Sequence, residues 1–131
     1  MKTVILIFST LLLIACGDAY PKLRPLNAKY TYWVATPDLV FIVTGDPKHG
    51  ASTVIPEHID RVAVTRATVF GHVTPYPDEL AGTRTPESAR GYFYLDLDTG
   101  EHRIGLSEGE WEAILLKRDI KAAKQQLKTH L

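Results

Sequence analysis

Hydrophobic and polar positions alternate in separate blocks along this chain, and the period changes near its end. Residues 29–36 alternate and are rich in Tyr and Trp, which predicts a strand. Leu39 to Thr44 is a continuous β-branched and aromatic run, suited to a strand buried on both faces. Pro37 and Asp38 turn the chain between them, and Gly45-Asp46-Pro47-Lys48-His49-Gly50 closes the second run. From Ile59 to Val73, Val62, Val64, Val69, Phe70 and Val73 favour strand, but Arg61, Arg66 and Thr68 break the alternation. That pattern predicts one long strand bulged near 65–68, or two shorter strands.

Tyr92 to Leu97 places Phe93, Leu95 and Leu97 on one face and Tyr92, Tyr94 and Asp96 on the other. Asp98-Thr99-Gly100 then reads as a hairpin loop, with the glycine free to take positive φ, and Glu101 to Leu106 as the returning strand. Ser107-Glu108-Gly109-Glu110 is a capping box that starts a helix. Its acidic residues lie near the positive end of the macrodipole, and Lys117, Arg118, Lys121, Lys124 and Lys128 lie toward the negative end. Trp111, Ile114 and Leu115 share one face, whereas Leu116, Ile120, Ala123, Leu127 and Leu131 form a stripe far round from it. Either the helix breaks near 117–119 or it carries two apolar faces. The expected fold is α+β: an antiparallel sheet of about five strands with one C-terminal helix packed on a face.

The opening residues obey a different rule. Lys2 precedes a largely apolar run from Val4 to Leu13, far shorter than the roughly twenty residues needed to span a bilayer. It reads as the hydrophobic region of an export signal. Leu13-Ile14-Ala15-Cys16 follows, and Cys16 is the only cysteine of the chain. The leader resembles that of bacterial lipoproteins, in which a peptidase cuts before a cysteine that carries the lipid, and the remainder resembles uncharacterised bacterial lipoproteins. The resemblance implies a signal peptide at 1–15, lipid on Cys16, and anchoring in the membrane. It also implies outer-membrane delivery facing the periplasm, because Gly17 rather than an aspartate follows the cysteine. Residues 16–28, with Pro21, Pro25, Lys22 and Arg24 and no apolar period, are expected to be a tether, and 29–131 a single domain. A lone cysteine consumed by lipid leaves neither a disulfide nor a free thiol in the folded part.

Charge and motifs narrow the possible roles without naming one. Fifteen basic residues balance fifteen acidic ones, so no global footprint for nucleic acid exists. Residues 45–52 follow an apolar strand like a phosphate-binding loop, but Ala51 stands where the gripping lysine belongs and Pro47 removes a backbone donor. No nucleotide, cofactor or metal is therefore assigned. His49, His58, His72, His102 and His130 show no paired-ligand spacing, with His58 and His72 the closest approach to one. Asp98-Thr99-Gly100 matches the aspartic-protease triplet but lacks that family's downstream element, and no nucleophile elbow is present. No catalytic residue is assigned either.

The long segment from Thr74 to Gly91 is a candidate binding loop, with Tyr76, Arg84 and Arg90 of types that anchor interfaces. The helix stripe, Leu116, Ile120 and Leu127, is a second candidate contact surface. The expected role is a non-enzymatic, lipid-anchored binding module with an envelope protein as partner. A small envelope hydrolase or metal-dependent enzyme using the histidines with Asp46, Asp60 or Glu57 is one alternative. An inhibitor or immunity protein is the other.

Overall fold

In the computed structural model, which describes residues 19–75 and 85–131, the alternating blocks become eight antiparallel strands. β1 (Lys22–Pro25), β2 (Tyr30–Thr36), β3 (Leu39–Thr44) and β4 (Ser52–Ile55) form one four-stranded sheet in sequence order. β5 (Ile59–Thr65), β6 (Thr68–Val73), β7 (Gly91–Asp96) and β8 (His102–Leu106) form a second. The single sheet of about five strands is thus corrected to two sheets of four.

The physical reasons lie in individual strands. All four residues of β1 are exposed, so no buried position marks it as a strand, and it falls inside the stretch expected to be tether. β4 buries only Ile55. Between β5 and β6 the chain makes a turn at Arg66-Ala67, with Arg66 at φ 56°, so the two-strand alternative holds there.

The two sheets share one core. Tyr32, Val34, Val40, Ile42 and Ile55 of the first pack against Ile59, Val62, Val69, Val73, Phe93 and Leu95 of the second. The opposite face of the second sheet carries another core, in which Ala63, Phe70 and Tyr94 meet Trp111, Leu115, Ile120 and Ala123. Burial on both faces explains why residues 68–73 lose their alternation: five of the six strand residues of β6 are buried. Trp111 is fully buried, donates its indole N–H to the Phe93 carbonyl at 2.9 Å, and lies 4.5 Å from the Tyr92 ring.

α1 (Glu108–Lys117) begins where the capping box places it. The Ser107 hydroxyl accepts the Glu110 N–H at 3.3 Å, and itself donates to the Glu110 carboxylate at 3.2 Å. The returning carboxylate contact is therefore to the hydroxyl. α1 stops at Lys117, and a short α2 (Ala123–Gln126) follows, so of the two readings of the apolar stripe the break is observed. Beyond α2, Lys128 lies antiparallel to Val62 and exchanges backbone hydrogen bonds of 2.8 and 2.9 Å with it. The C-terminal tail thereby covers the free edge of β5. At the opposite end, the Asn27 amide donates to the Leu97 carbonyl at 2.9 Å and ties the β1–β2 turn to the β7–β8 hairpin.

Candidate functional site

The tail that covers β5 runs back toward β1, and a continuous cleft lies between them. Its larger part, about 500 Å³, is bordered by Arg24, Val64, Leu127, Lys128, His130 and Leu131. Its smaller part, about 260 Å³, shares Arg24, His130 and Leu131 and adds Tyr20, Lys22, Leu23, Tyr32 and Val34. Among the described residues no acidic side chain lines either part.

The position of each cation follows from strand pairing. Lys22 lies opposite Val34 and Arg24 opposite Tyr32, which puts both on the core-facing side of the first sheet, at its open edge. Leu23 lies opposite Trp33, which in turn pairs with Phe41, and the two aromatic rings stack at 5.3 Å on the outer side. Lys22 holds its ammonium over the Tyr20 ring, 5.2 Å from the centroid. Arg24 and Lys128 form no salt bridge among the described residues. Of the four large hydrophobic side chains exposed among the described residues, Tyr20, Leu23 and Val64 border this cleft. Only Leu116 lies elsewhere.

At the floor, Tyr32 is 2% exposed and its hydroxyl has no hydrogen-bond partner, approaching the Leu131 backbone without closing a bond. Burial pushes this phenol up to about 12, outweighing the Leu131 backbone and the nearby Arg24 charge. It stays neutral at physiological pH.

The residues singled out from sequence are dispersed. Cys16, Tyr76 and Arg84 lie outside the described residues. Arg90 is exposed and donates to the Thr85 carbonyl at 3.4 Å. Leu116 is 58% exposed, whereas Ile120 is 3% exposed and belongs to the helix-side core, and both border a second pocket of about 320 Å³ together with Glu112 and Lys121. Leu127 packs on that core and borders the cleft, which makes it the member of the stripe that reaches a candidate site. The cleft itself was missed because its parts, residues 20–24, 63–64 and 125–131, are distant in sequence and meet only through the tail. The available signal was the basic pair Lys22 and Arg24 flanking Leu23.

The histidines occupy separate settings. His72 Nδ1 lies 2.7 Å from Asp60, Arg61 approaches the same carboxylate at 3.7 Å, and the Tyr92 ring stands edge-on at 4.8 Å. No hydroxyl or thiol hydrogen-bonds to either member of this pair among the described residues. His49 pairs with Asp46 at 2.6 Å on the exposed β3–β4 loop. Backbone donation from Lys48 and the His49 contact hold that aspartate below its usual range. His58 is buried apart from both, its Nδ1 accepting the Val40 N–H at 3.3 Å. Among the described residues no three His, Cys, Asp or Glu side chains gather as metal ligands.

No protein-family model matches the chain, and no curated protein or solved structure is significantly similar to it. Among the described residues no helix is long and apolar enough to cross a membrane.

Proposed function

We propose that this chain is a lipid-anchored cell-envelope protein that works by binding, with the cleft between β1 and the C-terminal tail as its contact surface. The observation that carries the reading is the composition of that cleft: Arg24 and Lys128, without carboxylate partners among the described residues, and the exposed Tyr20, Leu23 and Val64. Clustered exposed apolar groups with unpaired charge mark interaction surfaces. The lipid is placed on Cys16 by the leader's resemblance to bacterial lipoproteins, and Gly17 after it favours the outer membrane, facing the periplasm.

Intact mass and membrane fractionation of the wild type and of Cys16→Ser test the anchoring. The wild type carries diacylglyceryl mass and sediments with membranes, whereas the variant becomes soluble. An unmodified Cys16, or identical fractionation of both, overturns it. The His72–Asp60 pair favours a second reading, an envelope hydrolase. Hydrolytic activity abolished by His72→Asn in a folded protein would establish that reading over binding alone.

A further inference from the structure

We infer that the cleft seats the anionic phospholipid head groups of the bilayer that holds the protein, so that the domain lies on the membrane with β1 and the tail facing it. This rests on the anchoring reading above, and three features of the chain lead to it.

The first is reach. Residues expected to be tether become β1 from Lys22 onward, so the chain from Cys16 to Lys22 can span at most roughly 20 Å. A link that short keeps β1 close to the bilayer surface. The second is charge. Arg24 and Lys128 border the cleft, no acidic side chain among the described residues lines it, and Asp38, whose charge reaches His58, is not part of that lining. A guanidinium and an ammonium bordering one cleft match phosphate oxygens. The third is the apolar rim. Tyr20 is 41% exposed and Leu23 42% exposed, beside the cations and next to the link itself. An amphipathic ring and an aliphatic side chain suit the depth of head groups.

A bilayer explains all three features together, whereas a soluble anion explains only the charge. Each basic side chain near an anionic surface strengthens attachment by about five-fold, and the attraction fades within a Debye length.

The test uses residues 19–131, which contain both described cores and lack Cys16, so that lipid anchoring does not contribute. Flotation with phosphatidylglycerol vesicles at low ionic strength is expected to carry the protein, and phosphatidylcholine vesicles are not. Arg24→Gln with Lys128→Gln should weaken binding roughly twenty-fold or more. Lys117→Gln with Lys121→Gln, the same charge change outside the cleft, should leave it near wild type. No flotation on anionic vesicles, equal flotation on both lipids, or an equal effect of the Lys117→Gln, Lys121→Gln pair overturns the inference.

A photocrosslinking residue in place of Leu23 in the full chain supplies the second arm. Label on lipid supports bilayer seating, and a stoichiometric protein adduct in place of lipid overturns it. Intact mass lacking lipid on Cys16 would defeat the anchoring reading while leaving the vesicle result interpretable, so the two failures are distinguishable.

Discussion

The Ile120 N–H donates to the Leu115 carbonyl at 2.9 Å, turning the chain back across the end of α1. The Asp119 N–H reaches the Leu116 carbonyl at 3.0 Å, and Asp119 itself sits at φ 60°. These two bonds with one left-handed residue make a Schellman ending, and the buried Leu115 and Ile120 side chains supply the apolar contact that accompanies it.

The left-handed position is occupied by Asp where glycine has no steric penalty. Asp119→Gly is expected to stabilise the domain by about 0.5–1 kcal/mol in denaturant unfolding. The Arg66 contact that it removes, 3.9 Å between exposed side chains, contributes little. A loss of stability would show that Asp119 does more than fill the turn.

Much of this region was legible from sequence, and its limits are physical. Ser107 and Glu110 announced the helix start because a cap is encoded within four residues. Its end was visible only as a clash of two apolar stripes, because no glycine or proline marks it. Gly100 and the β7–β8 hairpin were likewise local. The split into two sheets was not, because it depends on β1 and β4, exposed strands whose pairing partners rather than side chains define them. The cleft was least legible, since Lys128 reaches β5 only through the tail.

The Schellman ending separates two residues that the helical stripe had grouped. Ile120→Asp places a charge in the helix-side core and should cost about 3–5 kcal/mol or prevent folding. Leu116→Asp, at an exposed position, should change stability by less than about 0.5 kcal/mol. Thermal melts of the two variants side by side check the contrast. Similar losses in both would mean that Leu116 is covered.

Lys128 acts on the fold through its backbone and on the cleft through its side chain. Lys128→Pro removes the N–H that bonds to Val62 and should destabilise by about 1–3 kcal/mol, leaving the edge of β5 open to association. Lys128→Gln keeps both backbone bonds and should melt like the wild type. Light scattering with the melts separates edge exposure from charge loss.

Arg118 joins the end of α1 to the β7–β8 hairpin, donating to Asp96 at 2.7 Å and to Glu101 at 2.8 Å while lying over the Tyr94 ring at 4.8 Å. Arg118→Ala should cost about 1–2 kcal/mol, since these contacts are partly open to solvent. The Thr99 backbone N–H, and next Arg118, hold the Asp96 carboxyl below its ordinary value of 3.8. Its contribution is present above that value and is lost as pH falls through the lower folded value. Arg118→Ala should therefore flatten the stability profile below about pH 4, read by urea unfolding across acid pH.

His58 acts in a different window and with the opposite chemistry. Burial is the largest influence on its imidazole and, with the His130 charge, lowers it from 6.5 against the raising influence of Asp60 and Asp38. The ring also accepts the Val40 N–H, which requires an unprotonated Nδ1. The unfolded chain takes up this proton near 6.5 while the folded one resists it. Stability is therefore complete above that pH, falls as pH drops through it, and levels once the folded ring protonates. His58→Asn keeps an acceptor for Val40 but cannot titrate, so its unfolding free energy should stay level from about pH 7.5 to about pH 5 while that of the wild type declines. Parallel profiles for the two proteins would show that His58 is not the group responsible.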